Sequence, residues 1–114
     1  MDIQPINPGH VLIIPNNHIA RFGELDEETG AHLFKLAIRI SKILPNTGLR
    51  FEGLDVLIPD GEGAGQEVYH THLHIFPRFK GDGFGLKFGP DYAKLPDRAE
   101  LDKVAEQIKA ALSA

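Results

Sequence analysis

The alternation of apolar and polar positions divides the chain into five segments. Residues 10–14 (His-Val-Leu-Ile-Ile) are apolar at nearly every position and are closed by Pro15 and the Asn16-Asn17 pair. That predicts a short strand with both faces covered. From Asp26 onward, Leu33, Leu36, Ala37, Ile40 and Leu44 recur at helical spacing, and Phe34, Ile38 and Ile43 widen the stripe. Asp26 is the expected N-cap, Glu27 and Glu28 suit the positive end of the helix dipole, and Pro45, Asn46 and Gly48 end the element. Residues 54–58 predict a second strand. A glycine-rich turn over 59–65 leads into a third strand over 68–76, closed by Pro77. A loop over 80–85 follows. A last helix over 98–112 is expected, capped by Asp97, with Leu101, Val104, Ala105, Ile108 and Leu112 on its apolar side. Two strands joined across a glycine loop imply antiparallel pairing. The pattern therefore predicts one α+β domain over 1–114, an antiparallel sheet with two packed helices.

Composition narrows the function. The 114 residues are 42% hydrophobic, ordinary for a globular chain, and no apolar run approaches the length of a membrane span. Net charge is −4, and the 12 Lys and Arg are scattered without a run or stripe, so neither nucleic acid nor a membrane surface is an expected partner. There is no cysteine, which excludes disulfides, thiolate metal sites and a Cys nucleophile. Its absence fits a reducing compartment, and a cytoplasmic location is expected.

The chemistry concentrates in residues 70–74, where three of the six histidines stand. If the segment is a strand, His70, His72 and His74 share one face, and Tyr69, Thr71, Leu73 and Ile75 the other. A chance cluster on a solvated face is one reading, but imidazole has no special strand propensity. A metal site is a second, with His10 as a further ligand. Against it, His70 and His74 stand about 13 Å apart along a strand, whereas zinc needs each nitrogen within about 2.1 Å. The third reading is nucleophilic catalysis. His72 would present one ring nitrogen to an electrophilic phosphorus while a nearby backbone carbonyl fixes the other. His70 and His74 would straddle the phosphate and donate hydrogen bonds to it or to the leaving group.

The segment resembles the signature of the histidine-triad (HIT) family, His-φ-His-φ-His-φ-φ with φ apolar. His70, His72, His74, Leu73, Ile75 and Phe76 fit it, and Thr71 is a mild departure. Gly65-Gln66-Glu67-Val68 is similar to the family's lead-in, and Pro77-Arg78 to the ending of many bacterial members. Asp2-Ile3 and the block from Asn7 to His18 resemble the family's other strong motif.

The resemblance implies a HIT-like fold and a hydrolase acting on the α-phosphate of nucleotide substrates through a nucleotidyl-histidine intermediate. His72 is then the nucleophile, with His70 and His74 as its helpers. His10 is the fourth histidine, bonded to His74. Asp2 and Ile3 fall where relatives contact the nucleoside. The glycines of the 61–66 loop, Gly65 among them, are expected to let backbone N–H groups approach a phosphate closely, and Gln66 and Glu67 fall where relatives contact phosphate. Glu67 is acidic there, and Pro59, which has no N–H, stands where relatives often carry Asn or Gln. His18 and His32 are expected to be structural and surface residues. The branch that transfers nucleotides to sugar phosphates carries Gln after His-Pro in its motif. This chain does not, which favours hydrolysis. Relatives also begin upstream, with a hairpin that supplies much of the base pocket and, in zinc-bearing members, a Cys pair. The expected fold lacks that hairpin, and neither zinc nor another cofactor is expected. A homodimer is the expected assembly. The rival reading is a nucleotide-binding module without turnover.

Overall fold

The computed structural model describes all 114 residues, which divide into two compact units, Met1–Phe84 and Gly85–Ala114. The first holds a three-stranded antiparallel sheet of order β1-β3-β2, with β1 at Val11–Ile13, β2 at Gly53–Leu57 and β3 at Leu73–Arg78. A single helix, α1 (Glu27–Ile43), packs on β1 and β3.

The helix forms where local signals converge. Asp26 is its N-cap and accepts from the Thr29 N–H at 2.9 Å, while Pro45 opens a short 3-10 turn over Leu44–Asn46. Its inner side buries Leu33 and Ala37, and these join Ile13, Leu44, Leu73 and Ile75 in one core. The outer residues Phe34, Ile38 and Ile43 are exposed, so only the central part of the predicted stripe faces the sheet. In β1, Ile13 is buried but Ile14 lies beyond the strand and is exposed, so the expectation of two covered faces fails at that end.

The third strand is displaced from its predicted range of 68–76. Pairing with β1 runs only from Ile75 to Leu73, and pairing with β2 continues through Pro77 to Arg78. Beyond Ile75, β3 has no partner on the β1 side, the edge setting in which a proline's missing N–H costs least. Asn7 Nδ2 donates to the Pro77 carbonyl there at 2.8 Å. Upstream, residues 66–72 leave the sheet, and the Thr71 N–H donates to the Ile19 carbonyl at 2.7 Å. Alternation still governs the buried side, since Thr71, Leu73 and Ile75 all point inward.

In the second unit, α2 (Arg98–Leu112) opens with a capping box in which Asp97 accepts from the Glu100 N–H and Glu100 reaches back to the Asp97 N–H. Phe88 and Tyr92 stack at 3.9 Å between ring centres. No residue of α2 is buried, and Leu101, Val104 and Ile108 are exposed along one side of it.

Leu73 is fully buried among the core side chains. Leu73→Ala is expected to lower the unfolding free energy by about 2–5 kcal/mol in urea titration. Ile14→Ala, at an exposed position, should stay within about 0.5 kcal/mol of the parent.

Candidate active site

Four imidazoles are fixed by hydrogen bonds whose partners determine where each proton sits. The Ile6 N–H donates to His10 Nδ1 at 3.0 Å, so that nitrogen carries a lone pair. Neutral His10 must then carry its proton on Nε2, which lies 2.8 Å from His74 Nδ1 and donates to it. His74 is left with its proton on Nε2. His72 is set the opposite way, because its Nδ1–H donates to the His70 carbonyl at 2.8 Å and leaves a lone pair on Nε2. His70 donates its own Nε2–H to the Pro15 carbonyl at 2.9 Å.

Burial keeps the inner pair neutral. His10 is 1% exposed, between the His74 ring on one side and Phe76 at 4.8 Å on the other. Asp2 Oδ2 approaches His10 Nε2 at 3.4 Å and pulls toward the charged form, but desolvation is the larger effect and holds His10 below its ordinary value. His74 is pushed down to about 4, first by burial and then by the neighbouring His72 and His10, with Asp2 only partly opposing. At neutral pH His74 is therefore an N–H donor without charge.

The residues form one open cleft. His72 and His74, with ring centres 4.7 Å apart, line a cavity of 240 Å³ together with Asp2, Gln4, Leu12, Pro59 and the segment from Gly65 to Val68. Of the residues singled out from the sequence, Asp2, Pro59, Gly65, Gln66, Glu67, His72 and His74 meet there, and His10 stands behind His74. Ile3 is fully exposed and outside the cleft. The His70 ring is turned to Pro15 and packs edge-on at 5.3 Å from His18, so its carbonyl rather than its imidazole serves His72. The alternation still carries Thr71 inward, but His70 and His72 both precede β3, where no strand partner holds their rings to one face, and His70 turns to Pro15 instead. His32 is exposed on α1.

The glycine loop behaves differently from expectation. Gly61 and Gly65 adopt φ of 87° and 86°, a region that suits glycine, and fold the segment back on itself. The N–H groups of Ala64 and Gln66 donate to the Gly61 carbonyl, and that of Gly65 to the Glu62 carbonyl. Gln66 is 5% exposed. Its Oε1 accepts from the Gly61 N–H, and its Nε2 donates to the Ala20 and Val68 carbonyls. Gln66 therefore braces the loop, and what Gly65 gives the cleft is room rather than an N–H.

Three cleft residues escaped the reading of the sequence: Gln4, Leu12 and Val68. Leu12 was findable, because it pairs directly with His74 across β1 and β3, and cross-strand partners share a face. As for metals, Asp2, His10 and His74 bring one ligand atom each within 4.8 Å of one another, whereas the trio of His70, His72 and His10 does not converge. The His10 and His74 nitrogens already share a hydrogen bond at 2.8 Å. Two ligands of one tetrahedral zinc stand about 3.3 Å apart, so an ion would have to displace that bond.

The HIT domain family matches residues 1–81. An uncharacterised HIT-like protein of Methanocaldococcus jannaschii is 37% identical over 109 residues, covering 96% of this chain and 79% of its own length. An adenosine 5'-monophosphoramidase of Schizosaccharomyces pombe is 34% identical over 109 residues, covering 95% of this chain and 76% of its own. A bis(5'-adenosyl)-triphosphatase of Dictyostelium discoideum is 38% identical over 82 residues, covering 72% of this chain. The chain spans only 54% of that relative's length. The crystal structure of a HIT-family protein from Bacillus subtilis superposes with a TM-score of 0.84 at 33% identity, over 96% of this chain and 77% of that one. With the fold, the histidine cluster and these matches together, the chain belongs to the HIT family.

The lowered His74 value gives a signed prediction. Between its ordinary 6.5 and about 4, the unfolded chain takes up a proton that the folded chain refuses. The stabilisation is therefore complete above pH 6.5 and is lost as pH falls toward 4. Urea midpoints measured from pH 7 to pH 4.5 should fall, and His74→Gln should flatten part of that slope.

Proposed function

We propose that the chain is a nucleotide hydrolase that acts on an α-phosphate through His72, in the cytoplasm. The observation that carries this reading is the 2.8 Å bond from His72 Nδ1–H to the His70 carbonyl, which leaves the Nε2 lone pair of a cleft-lining imidazole beside the Nε2–H of His74. The phosphoramidase and triphosphatase relatives act on nucleotides by their names, which agrees with it.

In the first step the His72 Nε2 lone pair forms a bond to phosphorus while the bond to the leaving atom breaks. The leaving atom keeps the electron pair and takes a proton from water. His74 Nε2–H donates to an oxygen of the phosphate or to the leaving atom, stabilising charge as it develops. In the second step water attacks the nucleotidyl-histidine, gives up a proton, and releases the nucleoside monophosphate with His72 restored. The proton given up balances the one the leaving group took. Asp2 serves the ribose hydroxyls, and His10 positions His74. His70 acts through its carbonyl, and the nucleoside-side contact assigned to Ile3 requires the N-terminal residues to close over the base. The substrates in this reading are nucleoside phosphoramidates, dinucleoside polyphosphates or adenylylated compounds. The loop amides engaged within 61–66 favour the second reading, a binding module without turnover, since fewer donors remain for a phosphate.

Intact mass after mixing with an activated AMP donor separates the two. The parent should gain one nucleotidyl group. His72→Ala should gain none and lose turnover by about three orders of magnitude or more, as expected for a lost nucleophile. An adduct on His72→Ala would refute the assignment, and tight AMP binding with neither adduct nor turnover in the parent would favour the binding module.

A homodimer is the proposed assembly. β2 is a sheet edge with an exposed Val56, and Phe34 and Ile38 stand exposed on α1. Unpaired edges and apolar faces are surfaces that a second chain covers. Sedimentation should give twice the 12.6 kDa chain mass, and Val56→Lys should shift the population toward the monomer.

A further inference from the structure

The cleft beside His72 has an unusual charge balance for a site that receives phosphate. Two of its lining residues, Asp2 and Glu67, are charged, both are acidic, and no Lys or Arg lines it. Arg21, on the neighbouring segment, is held by Asp60 through Nε at 3.0 Å and a second bond at 3.4 Å. Pro59 contributes no N–H. The N–H groups of Gly61, Ala64, Gly65 and Gln66 close on the loop itself, and the Gln66 side-chain amide is taken by the Ala20 and Val68 carbonyls. One phosphate finds the His74 Nε2–H, but a second or third would bring added negative charge with no cation to meet it.

The two acids are not equivalent. Asp2 is half-buried and engaged, since Oδ1 accepts from the Gln4 N–H and Oδ2 lies beside His10. Glu67 is exposed, forms no ion pair, and stands in the segment that leads from the glycine loop into His72. A free carboxylate at that position repels an anionic leaving group and attracts a cationic one.

We propose that Glu67 is a specificity-determining residue that selects substrates whose leaving group carries positive charge: a nucleoside monophosphate joined by a P–N bond to an amine that also bears an ammonium group. The inference rests on the hydrolase reading and deepens it. The reaction is the one given above, with the P–N bond as the bond that breaks. The amine nitrogen keeps the electron pair, takes a proton from water, and leaves with its distant ammonium group unchanged. The carboxylate meets that ammonium, while the single phosphate charge is met by the His74 N–H.

Three substrates test it with the full chain: AMP joined through nitrogen to 1,4-diaminobutane, AMP joined to n-butylamine, and diadenosine triphosphate. The first two differ in a terminal ammonium. The parent should favour the diamine conjugate over the butylamine conjugate by about tenfold in kcat/KM, and over diadenosine triphosphate by more. Glu67→Gln should bring the first ratio to about one and raise relative turnover of the polyphosphate. Raising the salt concentration should narrow the parent's ratio in the same direction, which tests the idea without a variant. A ratio near one in the parent, or one that survives both Glu67→Gln and high salt, overturns the role of Glu67 while leaving the hydrolase reading intact. If none of the three is turned over and His72 gains no adduct, the hydrolase reading falls and takes this inference with it.

Discussion

One backbone N–H, that of Ile6, sets the proton positions of two histidines. Because it donates to His10 Nδ1, His10 can only donate through Nε2, and His74 must accept at Nδ1. The Nε2–H of His74 is thereby presented to the cleft as a fixed donor. A hydrogen bond of this kind contributes only about 1 kcal/mol to stability on balance. Its larger consequence is chemical. If His10 flipped, His74 would face a second lone pair, and the cleft would lose its donor beside His72. The His70 carbonyl sets His72 in the complementary sense, so neighbouring rings of the same residue type present opposite functions.

That arrangement needs a firm floor, and residues 76–84 provide it. Phe76 is fully buried under the His10 ring, and Phe84 meets it edge-on at 5.4 Å. Phe84 is held by Arg78, whose guanidinium lies over its ring and donates to its carbonyl. Arg78 also grips Asp82 twice and Asp55 once, and Asp82 accepts from Asn7. The guanidinium holds the Asp82 carboxyl well below the usual carboxylate range, so the Arg78–Asp82 pair stays charged at neutral pH. The Asn7 amide joins the clamp to the segment that carries Ile6 and His10. The clamp, the aromatic floor and the Ile6–His10–His74 hydrogen bonds are therefore joined through Asn7.

The parts of this legible in the sequence are those with local causes. The first helix was predicted with its cap and its stop because each signal acts within a turn of its own end of the helix, Asp26 at the start and Pro45 at the finish. The backbone carbonyl that fixes His72 lies two residues away and was anticipated as a type of partner. The start of β3 was not, since it depends on where β1 ends and on the Thr71 bond to Ile19, a contact across 52 positions that periodicity cannot register. The same limit explains Gln66. The family resemblance suggested a phosphate ligand, but its actual partners include Ala20, on a segment that folding alone brings near. Ile3, given a nucleoside contact by the resemblance, is fully exposed and outside the cleft, a placement its local sequence does not register.

No Lys or Arg lines the cleft, so in the proposed reaction phosphate is met by dipoles, and this constrains the histidines more than the triad pattern does. A cationic His74 would attract the anion more strongly, but it would place positive charge 4.7 Å from the His72 ring. Charge there would draw electron density from the His72 lone pair, to which the proposed reaction gives the attack on phosphorus. Burial of His10 and His74 resolves the conflict by removing the charge and keeping the N–H. Attraction for the substrate must then come from shape, from the nucleoside, or from a group on the substrate that the free carboxylate of Glu67 can meet. In the proposed reaction, the burial that keeps His74 neutral and the lack of a lining cation together disfavour substrates with more negative charge.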